Sequence, residues 1–189
     1  MIIIEPANLL ATLGAPSRKA VSLPKRELAS FLALAAEAAS IKGHISVLLT
    51  DDQTLRELNR TYRKMDKATD VLSFPAGEPV KARGRKTERQ GGDIAISLTT
   101  AARQAEAFGH DLKTEVKVLL LHGTLHLSGL DHETDGGQMA RRERVLRKQF
   151  DLPLGLIQRS SGASATRPPA DGKKGVAKPA TKAKRRAKR

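Results

Sequence analysis

The sequence predicts an α+β fold: a small mixed β-sheet packed with four to five α-helices, followed by a basic tail. Three observations carry that reading. Short runs rich in Ile, Val, Leu and Phe have the length and alternation of strands. Between them lie longer stretches rich in Ala, Leu, Glu and Arg, with apolar residues at helical spacing and capping residues at their starts. After Ile157 the chain turns to Ser, Gly, Ala, Pro and Lys, which bury too little apolar surface to offset the entropy of ordering. The folded domain is therefore placed at residues 1–157 and a basic disordered tail at 158–189.

The elements follow in order. Ile2 to Ile4 begins an edge strand. Pro24 near the start and Gly43 past the end frame a helix over KRELASFLALAAEAASIKG. His44 to Thr50 is a strand. Thr50 or Asp51 caps the next helix, in which Leu55, Leu58 and Tyr62 recur at helical spacing. Val71 to Phe74, closed by Pro75, is a short strand. Residues 77–91 hold Pro79, Gly84, Gly91, five basic residues and two glutamates, and read as a solvated loop. Gly92 to Ser97 alternates as a strand. Thr99 or Thr100 caps a helix that runs to Phe108 and stops at Gly109. Asp111 opens a long helix through Leu127, ended by Gly129. Thr134 or Asp135 caps the last one, which carries Met139, Val145, Leu146 and Phe150.

Charge is uneven. The net charge of the whole chain is +14. Residues 159–189 hold eleven basic side chains, Arg159 among them, and one acid, Asp171. A field this dense attracts polyanions, nucleic acid above all. There is no cysteine, which excludes disulfides, thiolate ligands and a cysteine nucleophile. The start lacks a basic n-region, and its apolar run is broken by Glu5 and Pro6. No apolar stretch is long enough to span a bilayer. The expectation is a soluble cytoplasmic protein with no membrane partner.

The chemistry lies in HGTLHLSGLDH, residues 122–132. His122 and His126 are four apart on a helix, so both imidazoles leave one face. That spacing lets two nitrogens reach one ion at about 2.1 Å each. Gly129 can take the left-handed conformation that stops the helix and turns the chain back, bringing His132 beside the other two. The three form a facial site, zinc being the expected ion, with a position open to water or substrate. His44 and His110 lack such geometry and read as surface or strand-end residues. The helix is zincin-like, since the intervals match the metzincin pattern H-E-x-x-H-x-x-G-x-x-H. The second position differs. Gly123 stands where proteases need a glutamate as general base, which argues against proteolysis.

HGTLHLSGLDH resembles the signature of the YbeY family, metal-dependent endoribonucleases of bacterial ribosomal RNA maturation. LNRTYRKMDKATDVLSFP (58–75) and GDIAIS (92–97) are similar to two further family segments, in the family's order. The resemblance covers roughly residues 40–150. It implies His122, His126 and His132 as ligands of one Zn2+ per chain, with His122 and Arg63 as catalytic residues, Arg63 facing the metal cleft. It implies trimming of the 3′ end of small-subunit ribosomal RNA and ribosome quality control. The partners expected are that RNA, the small ribosomal subunit or its proteins, and RNA phosphates against the basic tail.

Other residues keep two readings. Asp131 either accepts from a ligand imidazole or caps the turn. Asp70 is read as a turn residue, with a cleft residue as the alternative; Ser73 and Asp93 have no assigned role. Tyr62 is read as core rather than as a base-stacking ring. No general base is evident, Glu133 and Asp131 being the candidates. Two further functions stand beside the nuclease: a ribosome-assembly RNA-binding factor whose zinc is structural, and a metallopeptidase. Deleting everything after Ile157 is expected to leave fold and metal content intact.

Overall fold

The computed structural model describes residues 2–4, 23–77, 90–153 and 155–160. Most of the predicted loop over 77–91, and everything after Ser160, lies outside the described residues. In chain order the elements are β1 (Ile2–Ile4), α1 (Lys25–Ala38), β2 (His44–Thr50), α2 (Asp52–Arg63), β3 (Val71–Pro75), β4 (Gln90–Ser97), α3 (Leu98–Phe108), α4 (Leu112–Leu127), α5 (Gln138–Gln149) and the five-residue α6 (Leu156–Ser160). The sheet order is β1-β2-β4-β3. β1 and β4 run parallel to β2, and β3 pairs antiparallel with β4. This is the small mixed sheet with helices that the pattern predicts.

Alternation along the strands sorts two cores. Ile45, Val47 and Leu49 of β2, with Ile94 and Ile96 of β4, join the larger core with α1 and α4. Leu48, Leu72, Phe74 and Ala95 belong to the smaller one, under Leu55 and Leu58 of α2. Helix α4 has no polar stripe facing solvent along most of its length. Val116, Val118, Leu119, Leu120, Leu121 and Leu125 are all buried, because the helix lies between the sheet and helices α1, α3 and α5. Each such side chain contributes roughly 1.5–3 kcal/mol on burial, so α4 is the most firmly held element in the fold. It is also the helix that carries His122 and His126.

Several caps match the sequence and others do not. Asp51 Oδ1 accepts from Thr54 N at 2.8 Å, and Asp111 Oδ1 from Thr114 N at 2.7 Å. Helix α3, however, is capped by Ser97 rather than by Thr99 or Thr100: Ser97 ends β4 in extended backbone, and its hydroxyl accepts from Thr100 N at 3.1 Å. Helix α1 stops at Ala38, well before Gly43, because Ser40 adopts the left-handed conformation (φ 59). Helix α5 has Gly137 rather than Thr134 or Asp135 at its N-cap position, but the Asp135 carboxylate, two residues earlier, accepts from the N–H groups of Gly137, Gln138 and Met139.

Three side chains sit differently from expectation. Tyr62 is 66% exposed, since the last turn of α2 reaches past the smaller core to the sheet edge. His110 is largely buried and pairs with Glu115 at 2.5 Å, whereas His44 lies exposed at the start of β2. Arg159, counted with the tail charge, is held in the body. It makes two hydrogen bonds to the fully buried Glu115, at 2.6 and 3.0 Å, and lies 4.1 Å from the centre of the Phe108 ring. The chain therefore stays helical through Ser160, beyond the point where the composition changes. No helix among the described residues is long and apolar enough to cross a membrane.

Candidate metal centre

Helix α4 ends as the glycine requires. Gly129 has φ 89, and Leu130 N donates back to Leu125 O at 3.3 Å, the six-to-one bond of a Schellman turn. Asp131 then clamps the return. Its carbonyl accepts from Thr134 N and Asp135 N, while its carboxylate takes Glu133 N at 3.1 Å and the Thr134 hydroxyl at 3.0 Å. Of its two readings, the turn cap is the one realised. Those hydrogen bonds, the Glu133 amide first, hold the Asp131 carboxyl below its ordinary pKa. The clamp sets His132 against the helix, with its ring 5.3 Å from His122 and 5.2 Å from His126, centre to centre.

The three histidines predicted from spacing come together. One ring nitrogen from each lies within 4.8 Å of the others. Nε2 of His122 and Nε2 of His126 are 3.2 Å apart. Two nitrogens each bound tetrahedrally at ~2.1 Å stand roughly 3.4 Å apart, so the pair is spaced for one ion. The other nitrogens of His122 and His126 are occupied elsewhere. His122 Nδ1 lies 3.0 Å from Glu143 Oε1, and His126 is hydrogen-bonded to the Leu130 backbone. An Nδ1–H donated to each acceptor leaves the Nε2 lone pair facing the common centre. Burial, then the neighbouring His122 and His132, push the His126 pKa down to about 4, so this imidazole is neutral, as a ligand must be. The donor set thus fits a divalent ion that favours nitrogen. Burial falls from His122 through His126 to the exposed His132, which leaves the site open on one side.

In the metal-free protein the displaced His126 pKa has a consequence for stability. An unfolded histidine takes up its proton near pH 6.5, the folded one only near pH 4. Between those values the unfolded state binds more protons, so His126 removes stability as pH falls through this window. Thermal melts of chelator-treated protein are expected to drop from pH 7 to pH 4.5, and to drop less in His126→Gln. Equal acid sensitivity in the two would contradict this origin.

Glu143 was not found from sequence. It is 2% exposed, on α5, and its carboxylate is the acceptor that orients His122. Gly155 leaves room for it: a methyl there would collide with the Glu143 carboxylate. Glu143→Ala is expected to weaken binding of a divalent metal ion roughly 10- to 100-fold, read by competition with a chromogenic chelator, with Glu143→Gln losing less.

The site opens into a cleft of about 670 Å3. Arg63, at the end of α2, lines it, as do Ser73, Gln104, Glu133 and Arg159. Arg63 is exposed and makes no hydrogen bond or ion pair with the described residues. Asp70 also lines the cleft, and its carboxylate accepts from Val71 N and from the Gln104 side chain. Ser73 donates to the Gly123 carbonyl at 3.2 Å, and Asp93 is exposed on β4. Gly123 is more than a missing base. A Cβ there would stand 3.0 Å from Ser73 Oγ and 3.1 Å from two carbons of Ile94, so a larger side chain would have to press those two side chains back by a few tenths of an ångström.

A buried helix presenting two imidazoles, a third returned by a glycine turn, and a cleft over their open side define a three-histidine metal site of the hydrolytic kind. The family described as Endoribonuclease YbeY matches residues 18–151. A relative named Endoribonuclease YbeY from Koribacter versatilis is 43% identical over 144 residues, covering 76% of this chain and 89% of that protein. Relatives of the same name from Solibacter usitatus and Aquifex aeolicus are 51% and 54% identical over 112 and 102 residues, covering 59% and 54% of this chain and 69% and 64% of theirs. The chain belongs to the YbeY family.

Proposed function

We propose that this protein is a zinc-dependent endoribonuclease that cuts single-stranded RNA, acting in the cytoplasm on the 3′ end of small-subunit ribosomal RNA and in ribosome quality control. One observation carries the reading: three converging imidazoles share an open cleft with Arg63, in a chain whose curated relatives are named as endoribonucleases. Three nitrogen donors and no sulfur suit zinc among the common ions. When bound, the ion supplies Lewis acidity toward a phosphoryl oxygen and lowers the pKa of water.

The chain's own residues do the rest. Arg63 offers a planar fork of donors to a phosphate, and stands ready for the negative charge that gathers as the bond breaks. Glu143 fixes the His122 ring, so the ligand needs no reorientation when substrate enters. Glu133 lines the cleft and makes no side-chain hydrogen bond or ion pair with the described residues, whereas both Asp131 oxygens are engaged in the turn. Glu133 is thus the better placed of the two acids to take a proton. The peptidase alternative has no base at Gly123, where any Cβ would crowd Ser73 and Ile94.

The test is cleavage of a single-stranded ribosomal RNA fragment by the zinc-loaded protein, before and after chelation and after zinc is restored. Cleavage that stops and returns supports the proposal. Zinc-loaded protein that binds the RNA without cutting it would hand the reading to a ribosome-assembly binding factor.

A further inference from the structure

Tyr62 is left without a role by the metal centre. It is the only tyrosine in a chain with no tryptophan, and at 66% exposure it is the most exposed of the large hydrophobic side chains among the described residues. Its ring meets Phe74 at 5.2 Å between centres and 63° between planes, which leaves ring surface open to solvent. A ring fixed on one side and bare on the other is what a stacking platform needs; a core tyrosine is covered.

Its surroundings are basic. Residues 60–67 hold Arg60, Arg63, Lys64 and Lys67 against one acid, Asp66. Asp66 is already taken by Arg56, at 2.6 and 3.0 Å. Phe74 lies on β3, the edge strand of the sheet, between Ser73 and Pro75, which line the metal cleft together with Leu72. Tyr62, packed on Phe74, therefore stands at that edge beside the cleft, and the next residue, Arg63, lines the cleft itself. The last turn of α2 carries a cation in the cleft and an aromatic ring at its rim.

We propose that Tyr62 is a base-stacking platform for single-stranded RNA leaving the metal cleft around the β3 edge, one or two nucleotides beyond the phosphate held by Arg63. The inference rests on the nuclease reading only for the identity of the polymer. Base on aromatic stacking favours unpaired bases over duplex, because paired bases hide their faces.

The sole tyrosine is its own reporter. A short unstructured oligoribonucleotide, added to the full chain in chelator so that nothing is cut, is expected to quench the tyrosine emission at saturation. A duplex of the same length is expected to quench it far less. Tyr62→Ala is expected to weaken single-strand binding roughly tenfold. Tyr62→Phe is expected to keep most of the affinity. The ratio of wild type to Tyr62→Ala is expected to hold constant as salt rises, since no phosphate contact is lost. An exposed residue costs little on truncation, so melting temperatures serve as the fold control. Unchanged emission at saturating RNA, or wild-type affinity in Tyr62→Ala, overturns the proposal and turns the exposed ring toward a protein partner. Quenching without any cleavage by the zinc-loaded chain would remove the nuclease and leave the platform; cleavage without quenching would do the reverse.

Discussion

His126→Ala is expected to reduce zinc from about one per chain to background and to abolish RNA cleavage with it, while circular dichroism stays that of the wild type. The loss should exceed the ~100-fold typical of removing an outer partner such as Glu143, because one of three protein ligands is gone. The fold is expected to survive because His126 lies toward the open end of the site. The α4 platform beneath it is built from Val118, Leu121 and Leu125, which the change does not touch. Removing a desolvated imidazole also removes a group whose pKa is displaced by burial, so the metal-free variant loses no favourable ionisation at neutral pH. Metal analysis, a cleavage assay and far-UV dichroism on the same preparations check this. A folded, zinc-free variant that still cut RNA at the wild-type rate would separate cleavage from the histidines. A variant that unfolded would make the ion structural.

The ligands were legible because they are local. Helical spacing, a glycine turn and a third histidine within eleven residues fix their own geometry, and the structure adds only the depth of the cleft around them. The caps Asp51 and Asp111 were legible for the same reason, each acting three residues along. What failed was decided by distant chain. Glu143 meets His122 across 21 residues, and its only local sign is an acid between Met139 and Leu146 on the buried face of α5. Tyr62 follows Leu55 and Leu58 at helical spacing and was read as core. The spacing cannot say that, among the described residues, β3 is the edge of the sheet, where the last turn of α2 meets Phe74 and leaves Tyr62 exposed. Arg159 was hidden by its neighbours in sequence: composition assigns it to a basic tail, while a carboxylate 44 residues away assigns it to the body.

That carboxylate makes Arg159 the source of the second large effect. Glu115 is fully buried on α4 and faces His110 on one side and Arg159 on the other. Breaking such a pair from one end strands a charge in low dielectric. Arg159→Ala is therefore expected to cost about 3–5 kcal/mol, a fall in melting temperature of roughly 10 °C for a domain of this size. Removing both charges at once costs less, so Glu115→Gln with Arg159→Met is expected to recover much of the loss. The same pair decides where the tail can be cut. Truncation after Ile157 takes Arg159 with it and is expected to destabilise the domain as Arg159→Ala does, against the expectation from composition alone. Truncation after Ser160 keeps the pair and is expected to leave the melting temperature unchanged. Both deletions remove the basic side chains from Arg167 onward, so both are expected to weaken RNA binding and flatten its salt dependence. Only the shorter chain is expected to lose cleavage at saturating RNA as well, because it lacks Arg159, which lines the metal cleft with Leu156 and Ile157 and ties their segment to Glu115. Melting curves that moved equally for the two truncations would mean that α6 is held by something other than the Arg159–Glu115 pair.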